Sequence, residues 1–214
     1  MENPFLEIVA SGEEEIVGSK FKEFLEKVKK EIPKLIGGER IILIVGEPGS
    51  GKSLIIKKIT KDLRRKKVEV LSFSPRLIDD LRNVREKEAI VIENFHLIEA
   101  LNPEETNKII ELILELTNAG VTFIVEASPS TVQMLKKLGR NIARQLEIFE
   151  VPKLTQEDLY EFILSKLRKV RGKKIKDIEP FTKEDVAKIW EKSKGNPRMA
   201  ILLAQVLYDI KLRS

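Results

Sequence analysis

The sequence contains no cysteine, one histidine (His96), one tryptophan and only 6% aromatic residues. Without thiols there is no disulfide framework, no thiolate metal centre and no cysteine nucleophile. A single imidazole excludes a multi-histidine metal site. Long apolar runs are also missing: the clean ones are short, as in Ile41–Val45, against the about 20 residues a membrane-spanning helix needs. The opening Met1-Glu2-Asn3-Pro4 lacks the basic stretch and apolar segment of a secretory signal. These absences point to a cytoplasmic protein with no membrane partner.

What is present bounds the class. The chain has 214 residues, 42% hydrophobic and 34% charged, enough apolar surface to offset chain entropy. Its length suits one domain, or one domain with a small appendage. Lysine and arginine number 39 against 34 acidic residues, a net charge of +5. That mild basic excess permits nucleic-acid binding without demonstrating it. Richness in Lys, Glu and Ile without cysteine fits a heat-adapted source.

Five short Ile/Val-rich runs read as strands: Ile41–Val45, Val68–Ser72, Ala89–Glu93, Val121–Glu126 and Leu146–Val151. Helical patterns lie between and before them. Phe21, Phe24, Leu25, Val28 and Ile32 recur at helical spacing, and Ser53–Leu63, Pro75–Val84, Pro103–Thr117 and Pro129–Leu138 follow. Asn102-Pro103 and Ser128-Pro129 each place a capping side chain before a proline at the first helical position. Continuous apolar strands alternating with helices predict a parallel sheet buried on both faces. After Pro152 the pattern is helical only. Thr155-Gln156-Glu157-Asp158 and Thr182-Lys183-Glu184-Asp185 read as capping boxes with Asp for the usual Glu, and Asn196-Pro197 opens a third helix running to about Lys211. The predicted fold is therefore α/β: a core over 1–151 with a five-stranded parallel sheet flanked by helices, followed by a small all-helical lid over 152–214.

One motif carries chemistry. Gly46-Glu47-Pro48-Gly49-Ser50-Gly51-Lys52-Ser53 fits G-x-x-x-x-G-K-[ST], with a strand before it and a helix, entered through Leu54, after it. Its glycines let successive backbone N–H groups converge on one anion, and the helix N-terminus adds a positive dipole end. Lys52 is placed to reach β- and γ-phosphates and Ser53 to ligate Mg²⁺. No Asn-Lys-x-Asp guanine signature is present, so ATP/ADP is favoured over GTP. Such a site also needs an acidic group on a neighbouring strand, and Glu93, at the end of Ala89–Glu93, is the candidate.

On these residues the sequence resembles AAA+ P-loop ATPases of the initiator, origin-recognition and branch-migration type, from about Ile16 to Lys211. The resemblance implies further roles. Val17 and Gly18 of Ile16-Val17-Gly18 would contact adenine. Asn94 stands where the family places its water-activating glutamate; an amide orients water but accepts no proton, so hydrolysis would be slow. Glu126, ending the fourth strand, is a substitute base, and Ser128 falls near the sensor-1 position while also capping the next helix. Gly195-Asn196-Pro197-Arg198 resembles the sensor-2 motif, with Arg198 over the γ-phosphate. Arg140, slightly favoured by spacing, and Arg144 are candidates for an arginine finger acting in trans, which implies a homo-oligomer. The family's output is DNA replication, recombination or transposition, with DNA or a DNA-processing protein as partner. Two alternatives stay open: a switch that binds ATP and barely hydrolyses it, and a module that loads a helicase or transposase. The chain stops at Ser214 with no expected winged-helix or helix-turn-helix segment.

Other features have plainer readings. His96 is expected to be structural and Trp190 to be core. Arg64-Arg65-Lys66-Lys67 suits a helix C-terminus, and Arg168–Lys176, with six basic residues in nine, reads as a solvated loop.

Overall fold

The three central strand runs pack side by side because they are almost wholly apolar and buried on both faces. In a computed structural model of the chain, which describes residues 3–5, 17–63, 67–84, 86–172 and 174–213, five strands form one all-parallel sheet. They are β1 (Ile41–Val45), β2 (Val68–Ser72), β3 (Ala89–Glu93), β4 (Thr122–Ala127) and β5 (Leu146–Glu150), in the order β2-β3-β4-β1-β5. Every residue of β1 and β4 is buried, and burial of a Val, Leu or Ile side chain contributes about 1.5–3 kcal/mol each. Ile16, Arg64, Arg65, Lys66 and Lys173 lie outside the described residues.

The helices are α1 (Ser19–Leu35), α2 (Lys52–Asp62), α3 (Leu77–Asn83), α4 (Pro103–Asn118), α5 (Pro129–Lys137), α6 (Arg140–Gln145), α7 (Gln156–Arg171), α8 (Lys183–Ser193) and α9 (Pro197–Arg213). A 3₁₀ helix spans Phe95–Ala100. Neither that helix nor α6 has an expectation in the sequence pattern; α6 is set off from α5 by Gly139 at φ +140°. The β4 boundary moves one residue because the Val121 amide bonds Leu116 O and finishes the turn after α4. β5 stops at Glu150, although the Val151 amide still reaches Val45 O at 2.8 Å. α3 starts at Leu77 rather than Pro75, after a turn closed by Leu77 N to Ser74 O.

Contacts divide the described residues into two units. One holds residues 26–47 and 52–151, hence the sheet. On one sheet face Ile41, Leu43, Val45, Ile90, Ile92, Phe123 and Val125 join Leu77, Leu81, Ile109, Ile113 and Leu135 in a single core. Alternation along the strands turns Ile42, Ile44, Val91 and Ile124 to the other face; they are buried too, as are Ile55, Ile56 and Ile59 of α2.

The other unit holds described residues up to Leu25, the short segment Pro48–Gly51, and those from Pro152 on. Both expected capping boxes form. Asp158 N bonds Thr155 Oγ1 at 3.1 Å and Thr155 N bonds Asp158 Oδ2 at 2.9 Å; Thr182 and Asp185 repeat the pattern at α8. Leu159, Ile163, Leu167, Val186, Ile189, Ala200 and Ala204 are buried. Phe5, Phe181 and Tyr208 meet ring to ring, with centroids 5.7–6.0 Å apart. Trp190 corrects the expectation of a core residue: it is 39% exposed, its indole N–H donating to Leu154 O at 2.9 Å.

Candidate active site

β1 ends at Val45, and Gly46 begins the turn. Its amide donates to Ala127 O at 3.1 Å, fastening the start of the loop to the end of β4. Lys52 is the first residue of α2 and is only 7% exposed. Its ammonium donates to Gly46 O at 2.7 Å and Glu47 O at 3.0 Å, curling the loop's first residues around it. Burial pushes this lysine below its ordinary pKa, and the carboxylates of Glu126 and Glu47 act against that shift. A desolvated cation held largely by carbonyl dipoles is well matched to an incoming anion.

Two carboxylates share a sheet face with this cation. The register pairs Ile92 with Val125, and Glu93 and Glu126 come next on β3 and β4. Because Ile92 and Val125 belong to the core on one face, alternation sends Glu93 and Glu126 to the opposite one. Glu126 is 2% exposed and lies within electrostatic reach of Lys52; Glu93 is half-buried. Ser53 is exposed in the first turn of α2, with Leu54 half-buried after it.

The loop tip, 48–51, belongs to the unit that holds α9. Gly49 has φ +81°, a left-handed conformation that costs other residues about 1–2 kcal/mol. A Cβ there would lie 2.6 Å from Arg198 Cβ and 2.9 Å from Asn196 Oδ1. The close approach is made by Arg198 N donating to Gly49 O at 3.2 Å and Asn196 Nδ2 donating to Pro48 O at 2.8 Å. Asn196 Oδ1 also accepts from Met199 N at 3.1 Å, capping α9. One asparagine thus serves the helix and the loop; the sequence signalled only the cap.

The donor set fits a phosphate group. Ser50 Oγ is buried with no hydrogen-bond partner. Among the described residues, none of the backbone hydrogen bonds is donated by Gly49, Ser50 or Gly51, and the first amides of α2 have no intrahelical acceptor. Among the described residues no three His, Cys, Asp or Glu side chains cluster to hold a metal alone. The hydroxyl of Ser53 and the carboxylate of Glu93 are hard oxygen donors of the kind magnesium takes when phosphate oxygens and water complete its shell.

Val17 and Gly18 precede α1 and are held by a residue that sequence reasoning missed in this role. Asp158 Oδ1 accepts from Ser19 N at 2.9 Å, so its buried carboxylate caps α1 as well as α7. Gly18, at φ +100°, has no room for a side chain: a Cβ would lie 2.8 Å from Asp158 Oδ1.

Ser128 caps α5 through Thr131 N at 2.9 Å. Its hydroxyl also donates to Glu99 Oε1 at 2.5 Å, and Ser130 reaches Glu99 Oε2 at 2.8 Å, with Thr131 Oγ1 on the same carboxylate. Glu99 comes from the unforeseen 3₁₀ helix, so no sequence signal tied it to Ser128. Burial acts to raise the Glu99 pKa, but the hydroxyls of Ser128, Thr131 and Ser130, and then His96, bring it below the ordinary glutamate value. Asn94 opens that 3₁₀ helix at φ +58° with no side-chain cap bond. Arg140 and Arg144 lie one turn apart on α6, both exposed; the Arg144 carbonyl accepts from Arg40 Nη1 at 2.8 Å.

Comparison with known proteins places this geometry. A family model described as Novel STAND NTPase 3 matches residues 25–169. The Replication factor C large subunit of Sulfurisphaera tokodaii is 27% identical over 178 residues, 78% of this chain and 38% of that protein. A DNA replication initiation factor of known structure superposes with a TM-score of 0.63 at 17% identity, covering 98% of this chain and 66% of that one. The replication initiator DnaA bound to AMPPCP and single-stranded DNA gives 0.58 at 14%, covering 90% and 63%. These last two are likenesses of fold. The chain spans between 24% and 38% of the length of the curated relatives it matches. Among the described residues no helix is long and apolar enough to cross a membrane. Since the family match runs through the phosphate loop and all five strands, the chain belongs to the Novel STAND NTPase 3 family, and its fold is the one shared with these replication-initiator structures.

Proposed function

We propose that this protein binds Mg·ATP on the loop 46–53 and hydrolyses it, with a core over 1–151 and a lid over 152–214 whose mutual angle follows the nucleotide state. The observation that carries the reading is Lys52: buried, held by Gly46 O and Glu47 O, and on a sheet face that also bears Glu93 and Glu126. In this account the loop amides and Lys52 bind the triphosphate, and Val17 and Gly18 contact adenine. Ser53 and Glu93 hold magnesium, which when bound neutralises charge on the phosphate oxygens. Glu126 takes the proton of the attacking water that Asn94 and Ser128 orient, and Arg198 neutralises charge building on the γ-phosphate. Catalysis is then mainly positioning and charge compensation.

Arg140, or Arg144 one turn later, completes a neighbouring subunit's site, so the active form is a homo-oligomer and activity per chain rises with protein concentration. The names of the relatives support a role in DNA replication; the proposal extends to recombination or transposition, to a cytoplasmic location, and to DNA or a DNA-processing protein as partner. Glu126→Gln tests the chemistry: ATP affinity stays and turnover is lost. Unchanged turnover removes Glu126 as the base. A second reading is a switch that binds ATP, hydrolyses it very slowly and loads a partner helicase or transposase. The amide of Asn94 in place of a carboxylate favours it, and turnover below about one per hour with and without DNA would select it.

A further inference from the structure

The net charge of this protein is not spread evenly. Residues 152–214 carry 15 Lys and Arg against 9 Asp and Glu, whereas 1–151 carry 24 against 25. The whole basic excess therefore resides in the helical C-terminal segment. Its densest part is the last turn of α7 and the loop after it, where Asp177 and Glu179 are the acidic residues.

The basic side chains there divide into two kinds. Arg168 Nε donates to Ile175 O at 3.0 Å across the loop. Arg171 donates to Glu179 O at 2.6 Å and to Tyr208 Oη at 3.3 Å, and its guanidinium lies over the Tyr208 ring. Both arginines are thus used internally and brace the loop against α9. Lys169, Lys174 and Lys176 are exposed, and no hydrogen bond or ion pair engages them among the described residues. The α7 dipole accounts for Lys169 in the final turn. It does not account for Lys174 and Lys176, which lie beyond the Gly172 cap.

We infer that Lys169, Lys174 and Lys176 form a docking surface for the phosphate backbone of nucleic acid, read without regard to sequence. The inference rests on the nucleic-acid partner proposed above and gives that partner a place on the chain. The chemistry of the free groups sets the mode. Arg171 has both Nη groups engaged and Arg168 has its Nε engaged, which leaves the three lysines as the free cations of this stretch among the described residues, and ammonium groups contact phosphates as point charges. Phosphates would exchange condensed counterions for these three lysines, so binding must weaken steeply with salt.

The test is fluorescence anisotropy of the full chain with a labelled oligothymidylate and a duplex, over a salt series. Lys169→Gln/Lys174→Gln/Lys176→Gln is compared with Lys183→Gln/Lys188→Gln/Lys192→Gln, which removes equal charge from exposed positions of α8. The loop variant should bind at least about tenfold more weakly at low salt, with a log–log salt slope shallower by about 2 on the single strand. The α8 variant should keep the wild-type slope. A melting curve checks that both remain folded, and since no hydrogen bond or ion pair engages the three lysines among the described residues the loop variant should melt as the wild type does. If the wild type binds and the loop variant keeps its affinity and slope, the surface lies elsewhere while the nucleic-acid reading stands. Equal loss in both variants overturns the inference, since net charge alone would explain it. No binding by the wild type overturns both readings. Binding to phosphatidylserine vesicles or polyglutamate in place of nucleic acid overturns the partner class.

Discussion

Gly49→Ala probes the loop tip with a single methyl group. The residue stands at φ +81°, so alanine incurs about 1–2 kcal/mol of backbone strain. The new Cβ would also sit 2.6 Å from Arg198 Cβ and 2.9 Å from Asn196 Oδ1. Neither contact is tolerable, so α9's first turn must move off the loop. That movement breaks Arg198 N to Gly49 O and Asn196 Nδ2 to Pro48 O, bonds that contribute about 0.5–1.5 kcal/mol each. The sum is about 3 kcal/mol against the loop conformation seen here. If that conformation receives the triphosphate, ATP affinity falls by about 100-fold, at about 1.4 kcal/mol per decade. Gly120→Ala is the matched control. Gly120 has φ +92° but nothing within 4 Å of its would-be Cβ, so it carries the strain alone and leaves binding unchanged. Equilibrium binding of a fluorescent ATP analogue, with melting curves for both variants, measures the difference. Equal affinity in the Gly49 variant and the wild type would refute the reasoning.

Other expectations follow from the same geometry. Asp158→Ala strips the acceptor from Ser19 N and Thr155 N; two amides lose their partner, and chemical denaturation should register a loss of about 2–4 kcal/mol. A loss below about 0.5 kcal/mol would mean that the double cap is immaterial. Asp185 should govern part of the acid limb of stability. Burial raises its pKa, but the bond from Lys211 at 2.7 Å and the Thr182 amide outweigh burial and lower it. The folded value lies below the unfolded one, so its contribution is complete above the unfolded pKa and is lost as pH falls through the folded value. Asp185→Asn should flatten the stability profile on its acid side, below the ordinary aspartate range, and an unaltered profile would dismiss the pair. Glu99→Gln leaves the Ser128–Thr131 cap in place but loosens the hold on the Ser128 hydroxyl. Turnover should drop while ATP affinity holds, and a drop in affinity alone would place Glu99 in binding.

Much of this was readable from residues alone. The three central strands were legible because a strand buried on both faces must be largely apolar; the partly exposed edge strands, which carry Glu69, Glu147 and Glu150, were legible as short Ile/Val/Leu-rich runs in a highly charged chain. The loop was legible because its chemistry fixes glycine, lysine and serine at set spacing. Capping boxes at Thr155 and Thr182 were legible because they are local. What stayed hidden is what the chain brings together over long separations. Asp158 caps a helix whose start lies 139 residues earlier, and Asn196 ties itself to Pro48, 148 residues away. Glu99 sits on a 3₁₀ turn too short to show periodicity. Trp190 was misjudged because its helical neighbours Val186 and Ile189 are buried while its indole needs an acceptor at the rim, which Leu154 O supplies. Assignments such as Arg140 and Arg198 depended on resemblance to a family, not on any local rule.

The most direct measurement is titration calorimetry of Mg·ATP into the full chain and into Lys52→Ala. The account predicts a saturable one-to-one heat for the wild type and none for the variant. No heat from folded wild-type protein, or equal heat from both, would contradict it.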